Sequence, residues 1–468
     1  MKLGVYIENG PQDWQIIQHT DGKADIVLSG CKYDAGNPPG IVYVRVMEED
    51  TGRIVQPWQK CEILSGNKWQ TILHSIPAGG LYRVETCLNH DKEARMEWST
   101  RGDMIHHLGI GDIFIIAGQS NSAGYGKDPV ADPLEMGVHL LRNNGNWDIA
   151  THPMNESTGT IHEENRENAN PAHSPYLMFA KTLKKHLGYP IGLVQAARGG
   201  SKLSEWNPSE DGVLYRNMLS ITSKIQHQIK GILWYQGCGD TTEPECSSYS
   251  DRFQLFVEAV RRDYGINLPL LTVQINRATD EEKSDASWGK VKEAQRMAAK
   301  CIQNVFVVPS SDLPLCDRIH ISSAGNMILG ERLAASALRN LYGVEYGYEP
   351  PNIASAVITN ENTIELVFDN VYGRLFVNEM AVFDLAIEVT DTNGLVPMTD
   401  YKIDTRNILM LKLGRIPRGD CFISGASGQY PCRGIPIDTG SYLPMLSFFR
   451  IKAIKLNSYD NQHRGEID

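Results

Sequence analysis

Apolar and polar positions follow three successive rhythms along the chain. Over residues 1–105 the apolar residues fall in short runs rich in Val, Ile, Tyr and Thr, at 24–28, 41–47, 69–76 and 81–87. Turn-forming stretches at 34–40 and 77–80 break them up. Short strands with closely spaced turns predict a small β-sandwich-like domain. From 106 to 345 the rhythm changes. Strand-like runs at 113–116, 191–195, 231–235, 268–274 and 304–308 alternate with helix-like segments at 176–187, 214–229, 249–264, 288–301 and 324–341. Strand, helix, strand, helix over this length predicts a parallel sheet covered by helices on both faces. Beyond a Pro-rich link at 348–352, short runs at 363–368, 375–377, 386–390, 407–413 and 421–424 predict a second β domain over 346–468.

One stretch of the middle domain breaks its rhythm. Residues 152–171 are polar and rich in turn formers, and they lie between the first strand and the next helix. A long irregular loop at that place is expected to wall a site.

Composition narrows the picture. At 468 residues the chain has room for about three domains. A formal charge of −11 argues against a nucleic-acid or anionic membrane partner. No run is apolar over the ~18 residues that a membrane helix needs. The first residues, MKLGVYIENG, lack the apolar core of a secretory leader. Nine scattered cysteines without a CxxC pair predict free thiols in a reducing cytoplasm, although a secreted chain shorn of its leader would look the same. Oligomeric state leaves no mark on the sequence.

The chemistry gathers just after the predicted strands of the middle domain, where open α/β sheets bind their ligands. Residues 113–116 (IFII) stop at Ala117-Gly118-Gln119-Ser120-Asn121. Gly118 permits a sharp bend, and Ser120 beyond it can attack an acyl carbon if a base takes its proton. After 191–195 comes Arg198-Gly199-Gly200-Ser201, whose glycines leave backbone N–H groups open to an anion. After 231–235 comes Gln236-Gly237-Cys238, with an amide able to donate to a developing negative charge. After 304–308 comes Asp317-Arg318-Ile319-His320. An aspartate three residues before a histidine can hold one imidazole nitrogen and leave the other facing the serine. Ser322 and Ser323 are placed to cap the helix that follows.

Other chemistries find less support. The chain has no GxGxxG or GxxxxGK[ST] at Gly118, no HExxH, and no GxSxG around Ser120. His106 and His107 precede the central strand and suit a domain junction better than a metal.

These segments resemble those of SGNH-type hydrolases, and more narrowly the branch of sialate O-acetylesterases and acetylxylan esterases. The shared features are Gly118-Gln119-Ser120-Asn121, Gly199-Gly200-Ser201 with Trp206, Trp234-Tyr235-Gln236-Gly237, and Asp317 with His320. The resemblance implies a flavodoxin-like three-layer α/β/α domain flanked by β domains, and a serine esterase that removes O-acetyl groups from carbohydrate. It implies Ser120, His320 and Asp317 as catalytic residues, and Ser120, Gly200 and Gln236 around the oxyanion. Gln119, Asn121, Ser201 and Cys238 are the expected substrate contacts. No metal or cofactor is expected. Where the branch usually has Glu after Gln-Gly, this chain has Cys238. Two alternatives stay open: a catalytically impaired glycan-binding protein, and a short-chain lipid or thioester hydrolase of the same fold.

Overall fold

The computed structural model describes residues 3–455 apart from 37, 38, 92, 94, 280–283, 379, 380, 432 and 433, so Cys432 and part of the 34–40 turn lie outside the described residues. It shows a mixed α/β fold with several sheets.

The strand Thr100–Gly118 is the spine of the molecule. Its second half is buried throughout, with Phe114, Ile115, Ile116 and Ala117 fully enclosed. A continuous apolar run is what a strand covered on both faces requires. It pairs in parallel with Ile191–Gln195 on one side and Gly231–Tyr235 on the other. Leu270–Val273 and Val305–Val308 extend the sheet in parallel beyond Gly231–Tyr235. On the opposite flank lie Val138–Leu141, parallel, and Trp147–Ile149, antiparallel. These last two strands are absent from the sequence-based expectation. The helices Tyr176–Leu187, Val213–Ser223, Glu245–Tyr264, Asp285–Cys301 and Ser323–Tyr342 pack around the sheet, with buried faces that join one hydrophobic core.

The first half of Thr100–Gly118 belongs to the N-terminal β region. It pairs with Gly79–Asn89, and Ile16–Gln18 joins it at Gly109–Gly111. The expected border at 105/106 therefore falls inside one strand. Val5, Leu28, Val44, Trp69 and Tyr82 form a separate core with Ile105, Leu108 and Ile110 of that same strand.

After the last helix, Asn352–Asn360, Thr363–Asp369 and Ile408–Leu413 start a second β region with its own core. It is tied to the parallel-sheet region by side chains. Gln274 donates from Nε2 to Ser447 O and accepts the Ser447 N–H at Oε1. The buried Lys292 Nζ donates to the carbonyls of Ala426 and Gly428 at 2.9 and 3.1 Å. Among the described residues no helix is long and apolar enough to cross a membrane.

Candidate active site

The serine is placed by a glycine. Gly118 has φ +122°, and a Cβ there would lie 2.3 Å from the carbonyl oxygen of Tyr235, so only glycine lets the two strands approach this closely. The chain then turns, Gln119 N–H donates to Tyr235 O, and Ser120 opens a short helical turn, Ser120–Ala123.

Ser120 Oγ lies 2.9 Å from Nε2 of His320. The other ring nitrogen, Nδ1, is 2.8 Å from Asp317 Oδ2. Asp317 Oδ1 accepts the backbone N–H groups of Ile319 and His320 at 3.0 and 2.8 Å, which bends the 317–320 segment back on its own carboxylate. Burial pushes the Asp317 pKa up, but those N–H groups and the imidazole outweigh it and hold it at about 2. Its side chain is still 32% exposed, and Lys127 Nζ stands 3.7 Å away. The Tyr125 ring stacks on His320, with centroids 4.7 Å apart and 19° between planes. Ser322 caps the following helix by accepting the Gly325 N–H, as the sequence predicts.

The glycine loop docks beside the serine. Arg198 N–H donates to Gly118 O at 3.0 Å, and Ser201 Oγ donates to the same carbonyl at 3.4 Å. A Cβ on Gly200 would meet nothing within 4 Å, so the space beside its Cα is open. Backbone N–H groups in that position can hold an anion beside Ser120.

The Gln236 amide, expected at the oxyanion, is turned elsewhere. Nε2 donates to Asp240 Oδ2 at 2.5 Å and to Ser201 O at 3.3 Å, and Oε1 accepts from the Tyr249 hydroxyl at 3.2 Å. Asp240 is fully buried and also takes Leu203 N–H and Arg252. A buried carboxylate needs every donor within reach, so it captures the amide.

The four expected substrate contacts are likewise buried and committed inside. Gln119 accepts the N–H groups of Gly237 and Gly239. Asn121 donates to Ile319 O and accepts Ile321 N–H. Ser201 is 1% exposed and accepts from Trp206 Nε1. Cys238 is also 1% exposed, its thiol 3.8 Å from Asn276 Oδ1. All four side chains are buried and make contacts within the protein.

Two residues that the sequence reading missed stand out. Asn276, just past Leu270–Val273, donates to Ile319 O at 2.7 Å and accepts from Tyr235 OH at 2.8 Å, joining three strand ends. Glu167, from the irregular loop, accepts Tyr125 OH at 2.6 Å and Gly199 N–H at 3.1 Å. Both act through partners distant in sequence; the only local sign of Glu167 is its place in a polar loop.

Among the described residues, Asp132, His152 and His173 form one group whose ligand atoms all lie within 4.8 Å of one another. Both Nε2 atoms sit on Asp132 Oδ2, at 3.0 and 3.1 Å, and the Lys181 ammonium occupies the other oxygen at 2.5 Å. An ammonium already on the carboxylate makes this a charge-balanced fastener between the ends of the loop and the 125–137 segment.

A mixed α/β fold that presents a serine, an imidazole and a carboxylate in this relay at the sheet's edge is that of a carboxylic ester hydrolase. Residues 110–339 match the model of the carbohydrate esterase, sialic acid-specific acetylesterase family. Among solved structures the chain is similar to a carbohydrate acetylesterase from Xanthomonas citri, at 19% identity and a TM-score of 0.65, covering 93% of this chain and 97% of that one. It also matches a protein from Arabidopsis thaliana at 27% identity and a TM-score of 0.43, over 49% of this chain and 98% of that one. The protein named NanS matches at 16% identity and a TM-score of 0.40, over 50% of this chain and 98% of that one. No curated protein matches the chain.

Proposed function

We propose that the protein is a serine esterase that removes O-acetyl groups from an acetylated carbohydrate, with a three-layer α/β/α domain over about 106–345 as its catalytic unit. The observation that carries this reading is the relay from Asp317 through His320 to Ser120, at 2.8 and 2.9 Å. The family of residues 110–339 supplies the substrate class.

In this reading His320 Nε2 takes the Ser120 proton as Oγ attacks the acetyl carbonyl carbon. Negative charge on the carbonyl oxygen is met by the backbone N–H groups of Ser120 and Gly200. His320 then passes its proton to the departing sugar oxygen, leaving acetate on Ser120. Water, deprotonated by His320, attacks the acyl-enzyme and releases acetate. Asp317 keeps the proton on Nδ1 throughout and stabilises the imidazolium that forms.

The test is turnover of chromogenic acetyl and octanoyl esters by the purified protein and by Ser120→Ala. Acetyl should be preferred, and the variant should lose about 10⁴-fold or more in kcat. Wild-type turnover by the folded variant would remove Ser120 from the chemistry. Faster cleavage of octanoyl would point to a lipid substrate.

A further inference from the structure

The irregular loop 152–171 does more than wall the site. Its side chains are fastened along the backbone that leads into the glycine loop. Asn165 donates to Ala196 O and Asn155 to Ala197 O, each at 3.2 Å. Glu167 continues the series onto the Gly199 N–H at 3.1 Å. Its second oxygen takes the hydroxyl of Tyr125, whose ring stacks on His320. One carboxylate thus bridges the glycine loop and the ring that covers the imidazole.

Gly199 is built for this contact. A Cβ there would lie 2.6 Å from Glu167 Oε2 and 3.1 Å from the Tyr125 hydroxyl. Real Cβ atoms do not approach that closely, so a side chain at 199 would require the Glu167 carboxylate to shift. The loop itself is held at both ends, because His152 and His173 both lie on Asp132. Glu167 is therefore delivered by an anchored segment although that segment contains only two short 3-10 turns, Ser157–Gly159 and Glu163–Asn165.

We propose that Glu167 is a positioning residue for the oxyanion site: by holding the Gly199 N–H it sets the orientation of the next peptide, so that Gly200 N–H faces the reacting carbonyl oxygen. This rests on the serine-esterase reading. Glu167 acts through Gly199 and Tyr125 and does not touch the reacting atoms. The contribution of an oxyanion donor is realised in the transition state, so its misorientation lowers kcat and leaves KM nearly unchanged.

The experiment compares the wild type with Glu167→Ala, Glu167→Gln, Gly199→Ala and the Glu167→Ala/Gly199→Ala double variant. It reads kcat and KM for a chromogenic acetyl ester, and the rate at which a fluorophosphonate labels Ser120. Glu167→Ala should lower kcat by about tenfold or more, with KM within about twofold. Labelling, which also places charge in the oxyanion site, should slow in parallel. Glu167→Gln keeps an oxygen for the Gly199 N–H and should recover part of the loss. Gly199→Ala displaces the carboxylate and should reproduce the defect, and the double variant should be no worse than the single ones, because both break the same contact. If Glu167→Ala fails to fold by circular dichroism, the Gly199→Ala measurement decides alone. Unchanged kcat, unchanged labelling despite lower kcat, or additive losses would overturn the proposal. Ser120→Ala separates the two levels. If it is dead while Glu167→Ala is normal, only the role of Glu167 falls. If it is active, the esterase reading falls first.

Discussion

Asn121 donates from Nδ2 to Oδ1 of Asn276 at 3.3 Å, and both amides converge on the carbonyl of Ile319, the residue before His320. His320 is thus held to the turn that carries Ser120 by two buried amides.

Replacing Asn276 with Ala removes the shorter of the two bonds to Ile319 O and leaves Tyr235 OH without its acceptor at 2.8 Å. An unsatisfied buried polar group costs about 1–3 kcal/mol. The melting temperature should fall. At temperatures where the variant is folded, kcat should drop by about tenfold, because small misplacements of a base are expensive. Steady-state kinetics beside a thermal melt checks both; a variant with lowered stability and full kcat would show that Asn121 alone suffices.

Gln236→Ala should act on stability more than on chemistry. Its amide holds Asp240, which is fully buried. Loss of that donor should destabilise the fold by about 1–3 kcal/mol in urea unfolding. Loss of a true oxyanion donor would instead cost roughly 10²–10³ in kcat with stability preserved. The two outcomes separate cleanly in one denaturation curve and one rate.

Acid should erase the contribution of Asp317 in a defined window. Its folded pKa lies at about 2, below the ordinary 3.8. The unfolded state therefore binds the proton first, and the stabilisation is complete above the ordinary value and lost as pH falls through about 2. The stability difference between the wild type and Asp317→Asn, followed by denaturant unfolding, should shrink as pH is lowered from about 5 towards 2. A difference that stays constant over that range would mean that the hydrogen bonds to the carboxylate do not favour its charged form.

Lys292 gives the opposite sign at the other end of the scale. Burial lowers its pKa from 10.5 to about 7, despite nearby acidic groups that pull it back up. Between those values the unfolded chain holds a proton that the folded chain does not, so stability rises with pH. Relative to Lys292→Met, the wild type should gain stability from pH 7 to about 10.5 and show no further trend below pH 7. The pH series of the two proteins, subtracted, isolates this one group.

Thiol reagents should find Cys301 before Cys238. The former is exposed, and the latter is buried against Asn276. A bulky maleimide should modify Cys301 quickly with activity retained, and Cys238 only on unfolding. Rapid inactivation with Cys238 identified as the modified residue by mass spectrometry would mean that the pocket reaches it.

The strongest sequence signals were those with a single physical cause. The helix Tyr176–Leu187 was read to the residue, because its apolar spacing ends at Gly188, which caps it in the left-handed conformation. The helix expected over 214–229 ends at Ser223. Its apolar pattern continues, but His227 N–H returns to Thr222 O and residues 226 and 227 take positive φ, turning the chain back to the sheet. Val138–Leu141 was missed, since four residues between polar stretches give no periodicity to count. In the site, the meeting of Ser120, Asp317 and His320 is legible because each follows a strand end. The fate of Gln236 was not, because it depends on the burial of Asp240 by Arg252, and no local pattern reveals that. The direction of a polar side chain is set by its hungriest neighbour, which is a tertiary fact.

The strand Thr100–Gly118 spans 19 residues, or about 60 Å of extended chain, and serves two cores in turn. A cut at its middle would strip Ile16–Gln18 from its partners at Gly109–Gly111. The N-terminal β region is therefore not a module hung on a hinge, to be clipped away or exchanged. One strand carries both the N-terminal core and the turn of Ser120, so loss of order in either half should be felt in the other.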